Sequence, residues 1–174
     1  VVPKGFRPLM AERSIHAYKV FFFEREEDDF ADPAGWPRNA LACLATHDTP
    51  TFTGWWRGSD LTLRRTLGML SEEEEAAERA TRAEERAAVA ELSAGAETEV
   101  EVSARLHAHI AESPCRLAAL QIEDALGIEA QVNVPGTIDE HPNWRSRLPV
   151  AVDVMAEHSG FRAHVAAMRA VRPR

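Results

Sequence analysis

The distribution of apolar residues along the chain predicts three short strands. Tyr18–Phe23 is aromatic and β-branched, as strands commonly are. Leu41–Ala45 is apolar without alternation, which is expected of a parallel strand that is covered on both faces. Cys115–Ile122 is predicted to be a third buried strand, although its pattern also allows a helix that continues through Leu126. Two polar or proline-containing stretches, Glu24–Asp29 and Phe30–Arg38, are expected to be exposed loops.

Helical periodicity dominates the region between the second and the third predicted strand. A helix is predicted over Glu72–Ser93, because Ser71 and Glu74 have the spacing of a capping box and Gly95 can end the helix. Apolar residues are sparse in it, so most of its surface should face solvent. Two further helices are predicted at about Leu61–Leu70, capped by Ser59-Asp60, and at Glu97–Ser113, with Val100, Leu106 and Ile110 facing inward.

The last part of the chain combines an irregular segment with helices. Pro135-Gly136 is a turn signature and Pro142 blocks a helix, so Gln131–Trp144 is predicted to be irregular. A helical period returns at Arg145, and Gly160 is expected to divide it into two helices. The predicted core positions of these helices are Leu148, Val152, Met155, Phe161, Val165 and Met168. Strands and helices in this order predict an α/β arrangement with a parallel sheet.

Length and charge restrict the classes of protein to which this chain can belong. Its 174 residues, 45% of them hydrophobic, suffice for one core but not for a complete β/α barrel, which needs roughly 200 or more. The formal net charge of −8 argues against a nucleic-acid partner. No apolar run approaches the ~20 residues needed to span a bilayer, and no secretory signal stands at the start. These features predict a cytoplasmic protein without a membrane partner.

No metal or cofactor site is predicted from the cysteines, histidines and acidic runs. Cys43 and Cys115 lie in the most apolar segments without metal or disulfide spacing, so buried reduced thiols are expected. His107 and His109 would diverge on a helix, and the carboxylates of Glu72–Glu75 would point in different directions around one. We therefore expect no cofactor.

The most informative stretch follows the second predicted strand. The apolar run ends on Thr46-His47-Asp48-Thr49, which would put the Asp48 carboxylate at the carboxyl end of a strand, where β/α barrels carry their chemistry. The tandem aromatics Trp55-Trp56 nearby favour a site that handles sugars. An alternative is that Asp48 only forms an Asx-turn and caps the segment starting near Thr51.

Several motifs, in this order along the chain, resemble the C-terminal part of the 4-α-glucanotransferases, the amylomaltases or disproportionating enzymes of glycoside hydrolase family 77. The resemblance covers nearly the whole chain and is loosest over residues 71–112. The matching motifs are Pro3-Lys-Gly-Phe-Arg-Pro8, Tyr18-Lys-Val-Phe-Phe-Phe-Glu24, Ala45-Thr-His-Asp-Thr-Pro50, Gly54-Trp-Trp-Arg57, Leu120-Gln-Ile-Glu-Asp124, Asn133-Val-Pro-Gly136, Asp139-Glu-His-Pro-Asn-Trp-Arg145 and Leu148-Pro149.

By this resemblance, the fold is α/β, the C-terminal part of a (β/α)8 barrel and incomplete as a barrel on its own. Tyr18–Phe23, Leu41–Ala45 and Arg116–Gln121 resemble strands six, seven and eight. A mainly helical insertion is expected around residues 59–113. The family transfers α-1,4-glucan segments by a retaining double displacement that needs three carboxylates. Its nucleophile and its acid/base glutamate belong upstream of Val2-Pro3, so this chain is expected to be an inactive fragment.

The resemblance also assigns roles to individual side chains. Asp48 would stabilise the oxocarbenium-like transition state, and His47 would donate to a sugar hydroxyl unless it only bonds a backbone carbonyl. Asn133 matches an asparagine that can contact the sugar, with a turn-forming role as the alternative. Trp55 is the candidate for stacking on a pyranose ring, although at least one residue of the Trp55-Trp56 pair is expected to be packing. Trp144 is expected to anchor the final helices in the core.

The implied partners are maltooligosaccharides or α-1,4-glucan, and the N-terminal portion of the same enzyme. Exposed edges of an incomplete barrel also predict self-association. A first alternative function is a non-catalytic carbohydrate-binding or interaction module. A second is a metal hydrolase, which would require His47, Asp48 and His141 to converge.

Overall fold

The computed structural model describes residues 3–26 and 29–173. Its helices and strands, in chain order, are α1 (Phe6–Glu12), β1 (Ala17–Val20), β2 (Arg25–Glu26), β3 (Asp29–Phe30), β4 (Ala40–Cys43), α2 (Phe52–Arg57), α3 (Ser59–Thr66), α4 (Glu72–Leu92), α5 (Glu99–Ala111), β5 (Leu117–Ala118), α6 (Ile122–Ala125) and α7 (Ser159–Val171). Short 3-10 turns lie at Phe21–Phe23, Pro33–Gly35 and Met155–Glu157.

A three-stranded parallel sheet carries the site described below. β4 lies between β1 and β5, with Tyr18 opposite Leu41 and Leu41 opposite Leu117. The described residues do not close this sheet into a barrel. The prediction of three parallel strands is confirmed, and β4 is almost fully covered, as its continuous apolar run indicated.

The two outer strands are shorter than predicted. β1 ends at Val20, because Phe21–Phe23 turn into a 3-10 segment in which the Phe21 ring stacks on Phe30 at 4.5 Å between centroids. The third strand is reduced to the two residues of β5, and Leu117 is 51% exposed. Its predicted burial is wrong, since β4 is its only strand neighbour in the described part of the sheet.

Two helices begin with the capping that their sequences indicate. At α4, Ser71 Oγ accepts from the Glu74 amide at 3.1 Å and Glu74 accepts from the Ser71 amide at 2.7 Å. Thr98 and Glu101 form the same arrangement at α5, where no cap was predicted. At α3 the predicted Ser59-Asp60 cap is wrong: Gly58 precedes the helix in a left-handed conformation (φ 73°), and Asp60 is buried in an ion pair.

The core lies between the sheet and the helices that follow β4. Helix α5 lies against β4, and α7 packs along α5. Leu106 and Ile110 are buried in α5 as predicted, but Val100 is exposed and Val102 faces inward instead. The buried side chains of this core include Phe21, Trp36, Leu44, Phe52, Trp55, Val89, Leu106 and Ile110.

Helix α7 is fixed to α6 near its start and to the end of α5 just after its last residue. A Cβ on Gly160, in its first turn, would lie 2.5 Å from the Ala125 carbonyl oxygen, so only glycine allows this close approach. At the other end the Arg172 guanidinium donates to the Ala111 and Ser113 carbonyls at 2.5 and 2.8 Å. Gly160 therefore lies within α7, and the predicted division there is wrong; the helix begins at Ser159.

The segment before α7 differs most from its prediction. Residues 145–154 are not helical, and Leu148 and Val152 are exposed, whereas Met155 is buried as predicted. Pro149 explains much of this difference, because the residue before a proline is disfavoured in a helix.

Nearer the start of the chain, β2 and β3 form an antiparallel pair where a loop was expected, and Pro33 and Trp36 are buried rather than exposed. Glu27 and Asp28 of that predicted loop lie outside the described residues.

Both cysteines agree with the prediction of buried thiols. Cys43 and Cys115 are buried and free, and burial raises the pKa of the Cys43 thiol, which keeps it protonated.

Across residues 3–26 and 29–173, none of the helices has the length and apolar character required to cross a membrane.

Candidate functional site

The loop that follows β4 holds Asp48 at the carboxyl end of the sheet. Two threonines close the turn: the Thr49 hydroxyl donates to the Thr46 carbonyl at 2.8 Å, and the Asp48 amide donates to Thr46 Oγ1 at 3.2 Å. Helix α2 is capped by Thr51, whose hydroxyl accepts from the Gly54 amide at 3.1 Å. The turn and the cap thus use threonine oxygens. This leaves the half-exposed Asp48 carboxylate available to other groups and disfavours the Asx-turn alternative.

A second loop, residues 131–144, brings Asn133 onto that carboxylate. Asn133 Nδ2 donates to Asp48 Oδ1 at 2.6 Å. Gln131 is buried, and its side-chain amide donates to the carbonyls of Asp48 at 3.2 Å and Asn133 at 2.7 Å. His47 Nε2 lies 3.4 Å from the same Asp48 oxygen. Three of the four predicted site residues, His47, Asp48 and Asn133, therefore meet at one point, and Gln131 holds the two loops together.

Trp144 adjoins this cluster, and its predicted role as a core anchor is wrong. The residue is 62% exposed, and its ring lies against His47 with centroids 5.0 Å apart. Its backbone is in the left-handed region (φ 61°), which is uncommon for a bulky residue and recurs at functional sites. The adjacent Asn143 amide maintains this loop by bonding Val134 and Thr137 at 2.9 and 2.8 Å. The sequence carries little signal for such a conformation beyond the Pro142-Asn143 turn.

Trp55, the fourth predicted site residue, lies in the core instead. It is 4% exposed, its ring stacks on Phe22 at 4.9 Å, and the Arg82 guanidinium lies 5.0 Å from the ring centre. Trp56 packs on Phe52 in a similar way. The structure does not support stacking of Trp55 on a sugar, because the residue is almost fully buried and its ring already stacks on Phe22.

A groove of about 400 Å³ extends from Asp48 towards helices α3 and α4. Its lining includes Gln131 and Val134, together with Phe23 and Met69. This volume falls within the usual range for small-molecule sites. The groove is therefore large enough for part of an oligosaccharide.

The other carboxylates in this groove are engaged by arginines. Arg82 forms a bidentate pair with Asp60, with both N–O distances 2.9 Å, and lies 3.5 Å from Glu85. Glu85 is also bonded by Arg25. Asp48 thus differs from Asp60 and Glu85, because its carboxylate contacts an amide and an imidazole instead of a guanidinium.

The convergence that a metal hydrolase would need is not present in the described residues. No cluster of three or more His, Cys, Asp or Glu side chains in them could hold a metal ion. His141 Nε2 instead donates to the Gln131 carbonyl at 3.0 Å, where it supports the loop that carries Asn133.

Comparison with protein families and curated proteins gives a consistent result. The family model described as 4-alpha-glucanotransferase, glycoside hydrolase family 77, matches residues 1–153. The 4-alpha-glucanotransferase of Mycobacterium tuberculosis is 33% identical over 153 residues, 80% of this chain. That of Haemophilus influenzae is 30% identical over 161 residues, 84% of this chain. The chain spans only about a fifth of the length of these relatives, 21% and 23% respectively.

Two solved structures share the fold. Amylomaltase from Corynebacterium glutamicum superposes with a TM-score of 0.86 at 23% identity, covering 97% of this chain and 27% of that one. Amylomaltase from Streptococcus agalactiae in complex with acarbose gives a TM-score of 0.62 at 16% identity, covering 99% and 30%. Together with the family match over residues 1–153, the relatives at 30–33% identity establish that this chain belongs to the 4-alpha-glucanotransferase family, glycoside hydrolase family 77.

Proposed function

We propose that this chain supplies the Asp48 part of the sugar site of a 4-alpha-glucanotransferase, which transfers α-1,4-glucan segments between maltooligosaccharides by a retaining double displacement. The observation that carries the proposal is the contact of Asn133 with Asp48, beside His47, at the carboxyl end of a parallel strand. Carboxylates at this end of barrel strands are where β/α barrels catalyse reactions. The acarbose bound to the Streptococcus agalactiae amylomaltase is consistent with an oligosaccharide ligand.

Asp48 acts in this proposal by charge and position. A carboxylate held beside the reacting sugar stabilises the positive charge that develops at the anomeric carbon, and hydrogen bonds to adjacent hydroxyls strengthen in the transition state. Asn133 fixes one carboxylate oxygen through its amide hydrogen and leaves its own carbonyl oxygen to accept from a sugar hydroxyl. His47, with an exposed ring, donates to a hydroxyl of the same sugar.

The remaining chemistry is assigned to an N-terminal portion of the same enzyme. A double displacement needs a nucleophile and a proton donor besides Asp48, and the groove carboxylates Asp60 and Glu85 are paired with arginines. We therefore propose that β1, β4 and β5 serve as strands six to eight of a barrel and that residues 59–113 form a helical insertion. In this arrangement the isolated chain is inactive.

Incubation of the 174-residue chain with maltotriose tests the inactivity directly. We expect no disproportionation, whereas glucose and longer maltodextrins forming at an enzyme-like rate would contradict the proposal. The positive arm is a chimera in which this chain replaces the segment of the Mycobacterium tuberculosis relative with which it aligns. This chimera should convert maltotriose into glucose and longer products.

Asp48→Asn in the chimera tests the role of the carboxylate. The amide keeps the size of the side chain but removes the negative charge, so we expect turnover to fall by about a hundredfold or more. Asp139→Asn is the matched control, since Asp139 is an exposed carboxylate of the neighbouring loop and should tolerate the change. Wild-type turnover in Asp48→Asn would reject the assigned role.

A carbohydrate-binding module is the second candidate, and the exposure of Trp144 beside His47 favours it. An exposed aromatic ring next to hydrogen-bonding groups can bind a sugar without catalysis. Titration calorimetry of the isolated chain with maltoheptaose separates the two candidates. Strong binding that His47→Ala abolishes would support the module, and weak or absent binding would support the incomplete catalytic site.

A further inference from the structure

A buried polar cluster lies outside the groove and joins α5, α6 and α7. It consists of Ser103 and His107 on α5, Asp124 on α6 and His164 on α7, and all four residues are at most 3% exposed. Buried polar groups are costly unless they are paired, so a cluster of this size calls for an explanation.

The backbone carbonyls determine where the protons of the two histidines lie. His164 Nδ1 is 2.8 Å from the Gly160 carbonyl, which can only accept, so Nδ1 carries a hydrogen. Its Nε2, 2.8 Å from Ser103 Oγ, then accepts from the serine hydroxyl. This ring is neutral, since burial lowers the pKa of His164 to about 4.

The His107 ring faces Asp124 with its second nitrogen. His107 Nδ1 lies 2.9 Å from the Ser103 carbonyl and must donate to it. His107 Nε2 then faces Asp124 Oδ2 at 3.3 Å, and neither atom has a hydrogen-bond partner of good geometry in the described residues. This oxygen of Asp124 is therefore enclosed against His107, away from solvent, and the carboxylate makes its hydrogen bond with the other oxygen.

The other oxygen of Asp124 reaches the helix that follows Asp48. Asp124 Oδ1 accepts from the Phe52 amide at 2.7 Å. Phe52 is the first residue of α2, and the amides of a first helical turn have no partner within the helix. Asp124 therefore fixes the start of α2, four residues beyond Asp48 in the chain.

Further contacts join the same two segments, residues 124–133 and residues 48–54. The Thr51 hydroxyl donates to the Glu129 carbonyl at 3.1 Å, and a Cβ on Gly54 would lie 2.8 Å from the same oxygen. Gln131 and Asn133 bond Asp48 itself. Asp124 is the one fully buried carboxylate among these contacts, so it provides the most desolvated anchor of the Asp48 loop.

We propose that Asp124 is a positioning residue: with one oxygen enclosed against His107, it holds the start of α2 with the other and thereby fixes Asp48 against Asn133. It touches no substrate and acts only through the Phe52 amide. The expected effect of Asp124 on catalysis rests on the proposed function, but its expected effect on the order of the Asp48 loop does not. A purely structural role would instead stabilise the whole fold evenly.

Hydrogen exchange on the wild-type 174-residue chain gives the first test. The Phe52 amide, bonded to a buried carboxylate, should exchange at least about tenfold more slowly than the Asp48 amide, which bonds only to the half-exposed Thr46 hydroxyl. Similar rates for these two amides would overturn the proposal, and this measurement needs no variant that might fail to fold.

Variants of Asp124 give the second test. Asp124→Asn keeps an oxygen for the Phe52 amide and offers an N–H to His107, so it should preserve the protection of Phe52. Asp124→Leu removes the acceptor, and exchange at Phe52 should rise by about tenfold or more relative to the Cys43 amide of β4. Ser103→Ala is the control, because it removes a hydrogen bond of the cluster that does not reach α2.

A selective rise at Phe52 in Asp124→Leu, absent in Ser103→Ala, would support positioning. An equal rise at Phe52 and Cys43 in both variants would show a merely structural role. If Asp124→Leu does not fold, loss of Phe52 protection in Asp124→Asn would overturn the proposal, and its retention would support it.

Activity in the chimera gives a third, separate readout. Asp124→Leu should lower kcat by about tenfold or more with a smaller change in KM, because small displacements of a catalytic group slow the chemical step. Asp124→Asn should restore most of kcat. If the wild-type chimera itself is inactive, the proposed function fails while the exchange results still decide the role of Asp124.

Discussion

Asp48 and Asn133 are 85 residues apart in the chain, yet their side chains form one of the shortest contacts of the site. The sequence could indicate each residue separately, because each belongs to a recognisable motif after a strand. Their meeting depends on the parallel pairing of β4 with β5, which brings the loops after both strands to the same edge. Gln131 was not predicted, since a buried glutamine that bonds two carbonyls leaves no local pattern.

Trp144 allows a prediction about sugar affinity. Trp144→Ala in the chimera should raise KM for maltotriose by about tenfold, the order expected for losing one aromatic contact. Trp144→Phe keeps an aromatic ring beside His47 and should stay within about threefold of wild type. Initial rates over a range of maltotriose concentrations measure both variants, and an unchanged KM in Trp144→Ala would contradict a role in binding.

His164 predicts how stability depends on pH. Its pKa is about 4 in the folded chain and about 6.5 when unfolded, so below pH 6.5 the unfolded state binds a proton that the folded state excludes. The free energy of unfolding should therefore decrease by about 2 kcal/mol between pH 7 and pH 5 on account of this residue. Urea titrations of wild type and His164→Gln at both pH values measure this contribution. Equal pH dependence in the two proteins would show that His164 does not cause it.

At the scale of elements, local signals predicted the helices of the middle region well. The capping box at Ser71 and the start of α4 agree with the sequence because a cap depends on residues three apart. The outer strands and the segment 145–154 agree less well. The length and burial of an outer strand depend on how many other strands pair with it. In the segment 145–154, Pro149 disfavours a helix although the apolar residues have a helical period.

Ser71→Ala gives a prediction for the stability of α4. Removing the hydroxyl that accepts from the Glu74 amide should lower the free energy of unfolding by about 1 kcal/mol. Urea unfolding followed by circular dichroism measures the change. Ser146→Ala serves as the control, since Ser146 is exposed and lies outside the helices. A loss as large in the control would argue against the cap as the cause.

At the scale of the whole molecule, the sheet has an exposed side chain on each outer strand. Tyr18 on β1 is 55% exposed and Leu117 on β5 is 51% exposed. Unpaired strand edges favour association with another chain. Under the proposed function, these two edges are where the remaining strands of the barrel would pair.

Self-association of the isolated chain is the corresponding prediction. We expect dimers or larger species in sedimentation velocity at moderate concentration, and Leu117→Lys should weaken them by placing a charge on the β5 edge. Leu92→Lys is the matched control, because Leu92 is also an exposed leucine but lies at the end of α4. A monodisperse wild-type monomer would contradict the prediction.

The packing of α7 against α5 has a consequence for how the polypeptide folds during synthesis. Helix α7 follows every element that it covers, and its Arg172 bonds the carbonyls at the end of α5. Until α7 has emerged from the ribosome, a nascent chain can form the sheet and α5, but one face of α5 remains exposed to water. Such intermediates expose apolar surface and aggregate readily. The growing chain therefore has a defined interval in which binding by a chaperone would be most beneficial.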